Sequence, residues 1–167
     1  MKTIPIIVFV LTTLQSYGQY QWTILGENEK IKPDAKYHLF NLESRKVLAY
    51  QKQKKGINLG WFEPQKTKLN ILFKDTNADG ILDERDSVAI HVEDGAYLKY
   101  GEREYSITIV WSQTPVYEWI IMAEKLDVRT GTHTQTRYAL FNRTKQAFMI
   151  YAERDGIGVR LQWSDDW

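Results

Sequence analysis

Apolar and polar residues alternate along most of this chain with a period of two, the spacing that puts every second side chain on one face of an extended strand. Tyr37-His38-Leu39-Phe40-Asn41, Ile57-Asn58-Leu59-Gly60-Trp61 and Val159-Arg160-Leu161-Gln162-Trp163 are such runs. No segment sustains apolar positions at helical spacing, so the pattern predicts an all-β chain with very little helix, at most one turn within Ile81–Asp86. Turn-forming residues punctuate the runs at Pro33-Asp34, Pro64, Asp94-Gly95, Thr130-Gly131 and Asp155-Gly156.

The runs also recur. Tyr37…Asn41, Leu48-Ala49-Tyr50 and Ile57…Trp61 return as Val88…Val92, Leu98-Lys99-Tyr100 and Ile107…Trp111, and again as Tyr138…Asn142, Met149-Ile150-Tyr151 and Val159…Trp163. The spacing is about fifty residues, the size of one supersecondary unit that must close against its copies to bury a core. The first two repeats end in matching strands, Lys68–Phe73 and Glu118–Met122, and the third has none before Trp167. Gln21-Trp22-Thr23-Ile24-Leu25 supplies the missing piece, which predicts that the N-terminal strand joins the two ends of the chain in one closed barrel. Four strands per repeat give twelve, in pseudo-repeats at about 37–73, 87–123 and 137–167 plus 20–25, within a single domain over 19–167.

Composition narrows the function. A chain of 167 residues buries one sizeable core, and a net charge of +1 lacks the electrostatic footprint of nucleic-acid binding. With no cysteine there is no disulfide, thiolate metal site, cysteine nucleophile or lipid-bearing N-terminal cysteine. Residues 1–18 run from Lys2 through the apolar stretch Ile4–Leu11 to Ser16-Tyr17-Gly18, the order of a secretory signal peptide, and the stretch is too short to span a bilayer. The expectation is cleavage near Gly18–Gln19 and a secreted or periplasmic monomer.

The phrases Tyr37–Asn41 and Tyr138–Asn142, both Y-x-L-x-N, the Leu-x-Tyr hairpin, and the closing Tyr20-Gln21-Trp22 and Tyr117-Glu118-Trp119 resemble the repeats of ricin-type β-trefoil lectins over essentially the whole mature chain. The resemblance implies a β-trefoil fold and a non-catalytic carbohydrate-binding role. It also places a sugar-binding Asp just before the last apolar residue of the second strand of each repeat. Ala49, Lys99 and Ile150 stand there instead, so a protein-binding trefoil, such as an inhibitor or adhesion module, remains as the alternative, and the partner is a glycan or a surface protein.

Asp75-Thr76-Asn77-Ala78-Asp79-Gly80-Ile81-Leu82-Asp83-Glu84-Arg85-Asp86 carries oxygen ligands at the spacing of a calcium loop, with Gly at the sixth position for the sharp turn. Asp75, Asn77, Asp79, Asp83, Asp86 and the Ile81 carbonyl would make the shell. The loop resembles EF-hand and dockerin loops, but the twelfth position is Asp and the flanks read as strands, which predicts a static calcium clip between the first two repeats and no switch.

His38, His91 and His133 are isolated, and no nucleophile motif accompanies them, so no catalytic constellation is visible. Alternation places Trp61 with Ile57 and Leu59, and Trp163 with Val159 and Leu161, making these tryptophans core residues. A bound sugar would then meet the polar hairpin tips, Gln51–Lys55, Glu102–Tyr105 and Glu153–Asp155, with Asn142, Glu153, Asp155 and Tyr105 as the candidate contacts.

Overall fold

β-branched and aromatic residues in alternating runs, cut by turn residues, produce short strands with one buried face. A computed structural model describes residues 19–26, 31–66, 71–77, 79–80, 82–124, 136–153 and 158–166. The leader-like segment 1–18, Ile81, His133 and Asp155 lie outside these residues. The strands are β1 (Trp22–Leu25), β2 (Lys36–Asn41), β3 (Lys46–Tyr50), β4 (Leu59–Phe62), β5 (Ile71–Asp75), β6 (Val88–Val92), β7 (Tyr97–Tyr100), β8 (Ile109–Ser112), β9 (Trp119–Ala123), β10 (Tyr138–Asn142), β11 (Ala147–Tyr151) and β12 (Leu161–Ser164). No α-helix occurs among the described residues. A 3-10 turn at Pro64–Lys66 was not foreseen, and Asp83–Asp86 forms a plain turn closed by Asp86 N–H to the Asp83 carbonyl at 3.1 Å.

Following the antiparallel pairings from β1 gives a closed ring: β1 to β2, β2 to β5, β5 to β6, β6 to β9, β9 to β10, and β10 back to β1. The other strands stand outside the ring as three pairs, β3–β4 on β2, β7–β8 on β6 and β11–β12 on β10. The expected β-trefoil, twelve short strands in three pseudo-repeats closed by the N-terminal strand, is therefore corrected: six antiparallel strands close a barrel and six lie outside it, which is not a β-trefoil arrangement. The physical reason is that period-two alternation reports which side chains are buried and is blind to which strands close. An outer hairpin with one face on the core carries the same pattern as a ring strand.

One core unites ring and hairpins. Trp22, Leu39, Phe73, Ile90, Trp119 and Leu140 from the ring pack with Leu48, Leu59, Leu98, Ile109, Met149 and Leu161 from the outer pairs. On the far side of β10 and β11, Ala139, Phe141, Phe148 and Ile150 form a second cluster with Tyr20, Ile120 and Met122. That is why these two strands read as nearly continuous apolar runs.

Two ring tryptophans also bind the outer hairpins through their polar edges. Trp22 Nε1 donates to the Met149 carbonyl and Trp119 Nε1 to the Leu98 carbonyl, each at 2.8 Å and each indole fully buried. The residue before each tryptophan repeats the device. Gln21 Oε1 accepts the Tyr151 N–H at 2.7 Å, and the buried Glu118 carboxylate accepts the Tyr100 N–H, Asn142 Nδ2 at 3.0 Å and Thr144 Oγ1 at 2.7 Å.

Trp22→Ala should cost about 3–5 kcal/mol through the cavity it leaves. Glu118→Ala should cost about 1–3 kcal/mol, because the buried Asn142 amide and two further donors lose their acceptor. Urea unfolding midpoints measure both, and a change for Trp22→Ala below about 1 kcal/mol would contradict its place at the closure.

Candidate functional site

The loops of the three outer pairs meet at one point. Gly56, Ser106 and Gly158 precede the buried Ile57, Ile107 and Val159, and all three have positive φ, at 85°, 71° and 123°. A Cβ on Gly158 would lie 2.9 Å from Ser106 Cβ, so glycine is required there both by conformation and by room, while one on Gly56 would lie a tight 3.3 Å from Ser106 Cβ. Around this axis each tryptophan packs on the tyrosine of another repeat. Trp61 meets Tyr151 at 5.4 Å, Trp111 meets Tyr50 at 6.2 Å and Trp163 meets Tyr100 at 6.3 Å between ring centroids. Trp61 and Trp163 also stack on Trp22 and Trp119. These outer tryptophans are half-buried and packed against the core, with the fully buried positions taken by Trp22 and Trp119.

The three-way arrangement is broken at one position. Gly60 faces Ala49 across its hairpin, as Val110 faces Lys99 and Gln162 faces Ile150, so the residue before each outer tryptophan is Gly, Val and Gln in turn. In the second hairpin Val110 lies over Gly101, where an added Cβ would meet Val110 Cγ2 at 2.6 Å. In the first the sizes are reversed, and a Cβ on Gly60 would meet Gln51 Oε1 at 1.8 Å. Gln53 Nε2 donates to Gln51 Oε1 at 3.2 Å and to the Leu59 carbonyl at 3.0 Å, which orients the Gln51 amide over Gly60.

Beside this glycine, between the first and third hairpins, lies a cleft of about 460 Å³. Its walls include the Trp61 and Tyr151 rings, Gln51, Gln53, Lys46 and Arg160. Trp61 Nε1 donates to the Val159 carbonyl at 2.6 Å, which ties the first hairpin to the third, and within the third hairpin Arg160 Nη1 donates to Tyr151 Oη at 3.4 Å. A half-buried aromatic wall with planar amides and two cations can hold a small polar ligand that has one apolar face.

The contacts expected from the sequence are dispersed. Asn142 is fully buried at the end of β10, giving Nδ2 to Glu118 and accepting the Lys145 N–H at 2.8 Å, so it holds a turn. Tyr105 stands on the second hairpin, 43% exposed, with Lys55 Nζ 5.0 Å from its ring. Glu153 is exposed on the third, next to the segment outside the description that holds Asp155. Of the residues now lining the cleft, the hairpin tip Gln51–Lys55 was the part singled out. Gly60 was missed, although its substitution by Val110 and Gln162 in the other repeats was the available signal.

The acidic loop joins β5 to β6. Asp75 and Asp86 are buried, Gly80 has φ 88°, and Asn77 links three of the carboxylates. Its N–H meets Asp75 Oδ1 at 3.2 Å, and its Nδ2 meets Asp86 Oδ1 at 2.9 Å and Asp79 Oδ2 at 3.5 Å. Asp83 turns to the Arg85 guanidinium at 2.5 Å, a hydrogen-bonded pair that holds its carboxyl below the usual range. The donor set is all oxygen, as a hard cation requires. Among the described residues no group of three or more His, Asp or Glu side chains is placed to hold a metal.

No protein-family model, curated protein or solved structure matches the chain.

His91 lies on β6 with its ring on edge to Tyr97 at 4.8 Å and its Nδ1 buried without a partner. Burial first and the Lys74 charge second hold its pKa below the ordinary 6.5. The unfolded chain therefore takes up this proton before the native one does, so stability is full above pH 6.5 and falls as pH drops toward the native pKa. His91→Gln should flatten that fall in urea midpoints taken between about pH 7.5 and 5, and an unchanged slope would contradict it.

Proposed function

We propose that the protein is a secreted, non-catalytic carbohydrate-binding module that holds a sugar in the cleft between its first and third hairpins. The observation that carries this reading is the pairing of the half-buried Trp61 and Tyr151 rings with an oriented Gln51 amide over Gly60. A sugar offers an apolar C–H face for an aromatic ring and hydroxyls for planar amides, and a wall that is preformed loses little freedom on binding. The resemblance of the repeats' short motifs to those of ricin-type lectins supports the same class, and the signal-like pattern of residues 1–18 supports export. No described carboxylate lines the cleft, which gives the paired acids of glycoside hydrolysis no place there.

The double variant Gln51→Gly with Gly60→Val copies the pairing of the second hairpin into the first. It should fill the cleft, abolish binding of oligosaccharides found in a glycan screen and leave circular dichroism unchanged. Retained binding by the folded variant would overturn the assignment. A second reading, a protein-binding module, is favoured by the exposed Tyr105 beside Lys55. A screen that returns no sugar at millimolar concentration would put it first.

One calcium ion in the Asp75–Asp86 loop belongs to the same proposal, supported by the ligand spacing and the all-oxygen donor set. Calcium at a hundred times its dissociation constant should raise stability by about 2.7 kcal/mol, since it binds the folded loop and hardly the unfolded one. Substituting both Asp75 and Asp79 by Ala should remove that increment. No heat on calorimetric titration of chelator-stripped protein, with a melting temperature indifferent to calcium, would sink the claim.

A further inference from the structure

We infer that the sugar taken by this cleft carries an acetamido group, and that Gln53 is the positioning residue that sets this preference by fixing which end of the Gln51 amide meets the ligand. The inference rests on the reading of the cleft as a sugar site and names the class of sugar. A primary amide has a donor end and an acceptor end, and its partners decide which faces where. Gln53 Nε2 donates to the Leu59 carbonyl at 3.0 Å, and because a carbonyl only accepts, that contact fixes the nitrogen end of Gln53. The same nitrogen donates to Gln51 at 3.2 Å, so the atom it meets is the acceptor, Oε1, which lies over Gly60. Nε2 is then the end of the Gln51 amide presented to a ligand, on an exposed side chain that lines the cleft. The loop is itself held, with the Gln53 N–H donating to Asn58 Oδ1 at 3.0 Å and the Gln51 N–H to the Asn58 carbonyl at 3.2 Å.

The second hairpin shows what this lock adds. Arg103 takes the place of Gln53 there and donates to the Ile109 carbonyl at 3.2 Å, as Gln53 does to Leu59. Its other nitrogen reaches the Gly56 carbonyl at 2.6 Å, and Gly101 stands where the first hairpin has Gln51. In the third hairpin that place is Ala152. Among the described residues, the first hairpin is thus the one that turns a donor of this kind onto a side-chain amide.

A sugar hydroxyl both donates and accepts, so it pairs with an amide of either polarity and gains little from a fixed one. An acetamido carbonyl only accepts, and Gln51 Nε2 is its complement. The acetamido methyl group needs an apolar contact, and the Trp61 and Tyr151 rings, 5.4 Å apart and nearly perpendicular at 83°, form a corner beside Leu59 and Val159 in the same cleft. Ser44 also lines the cleft, and its Oγ is buried without a hydrogen-bond partner, so an acceptor for a ligand N–H or hydroxyl is already in place.

The test titrates the full mature chain with matched pairs that differ in acetamido against hydroxyl at the second carbon: chitotriose and cellotriose, and the methyl glycosides of N-acetylgalactosamine and galactose. The expected result is roughly tenfold tighter binding of the acetamido member of a pair, the size of one net hydrogen bond with a buried methyl group. Gln53→Glu, which removes both donors, should bring that ratio toward one, and Gln53→Arg, which restores them as in the second hairpin, should keep it. Gln51→Glu should also lose the ratio, because it replaces the Nε2 donor by an acceptor. Melting temperatures report that the variants fold. A Gln53→Glu variant with a lowered melting temperature and an unchanged ratio would make Gln53 a structural residue and overturn its role. Equal affinity within each pair, or binding of a sugar without an acetamido group when neither pair binds, would overturn this inference and leave the sugar site standing. No binding of either pair or of any glycan in a broad screen would overturn both.

Discussion

Everything in this fold depends on the ring being closed by a strand from the far end of the chain. β1 enters between β2 and β10, and Trp22 is the residue opposite both Asn41 and Tyr138. Its indole stacks on Trp61 of the first hairpin and hydrogen-bonds to β11 of the third, so one side chain couples the barrel to two of its outer pairs. Trp119 repeats those roles, stacking on Trp163 and reaching β7. An antiparallel sheet with an open edge would leave backbone groups unpaired and the core exposed, and closure removes both costs together.

The closed ring then makes the cleft possible. Because three hairpins hang from alternate positions of the ring, their loops converge at Gly56, Ser106 and Gly158, and each outer tryptophan finds a tyrosine from a neighbouring repeat. Near-equivalence of the hairpins supplies the aromatic walls at three places. Loss of equivalence supplies the difference: where Val110 and Gln162 carry side chains, Gly60 has none, and Gln51 lies over it. Function, in this account, comes from the departure from symmetry and stability from the symmetry itself.

Much of the secondary structure was legible from alternation, because burial on one face and the period of a strand are the same fact seen twice. The all-β class and the kinship of the strand at Trp22 with those at Ile71 and Trp119 were readable in this way. Which strands form the ring was not, since β3 and β11 face the core as β2 and β10 do, and nothing in their patterns says which strands pair around the barrel. The outer tryptophans were read as core residues because they share a face with Ile57, Leu59, Val159 and Leu161, yet they stand at the half-buried end of that face. Asn142 looked like a surface amide and proved to be a buried turn holder, which only its tertiary partner Glu118 reveals. Gly60 escaped notice because a missing side chain leaves no mark on a hydrophobic pattern. The spacing of the acidic loop was plain, whereas the capture of Asp83 by Arg85 depends on rotamers that spacing does not specify.

The central claim, that Gly60 opens one sugar-binding cleft among three similar hairpins, is tested most directly by amide and indole NMR shifts on titration with the best oligosaccharide from a screen. The account predicts shifts at Gln51, Gly60, the Trp61 indole and Arg160, with Gly101, Val110, Ala152 and Gln162 unmoved. Shifts confined to the tips around Tyr105 and Glu153, or spread equally over the three hairpins, would contradict it.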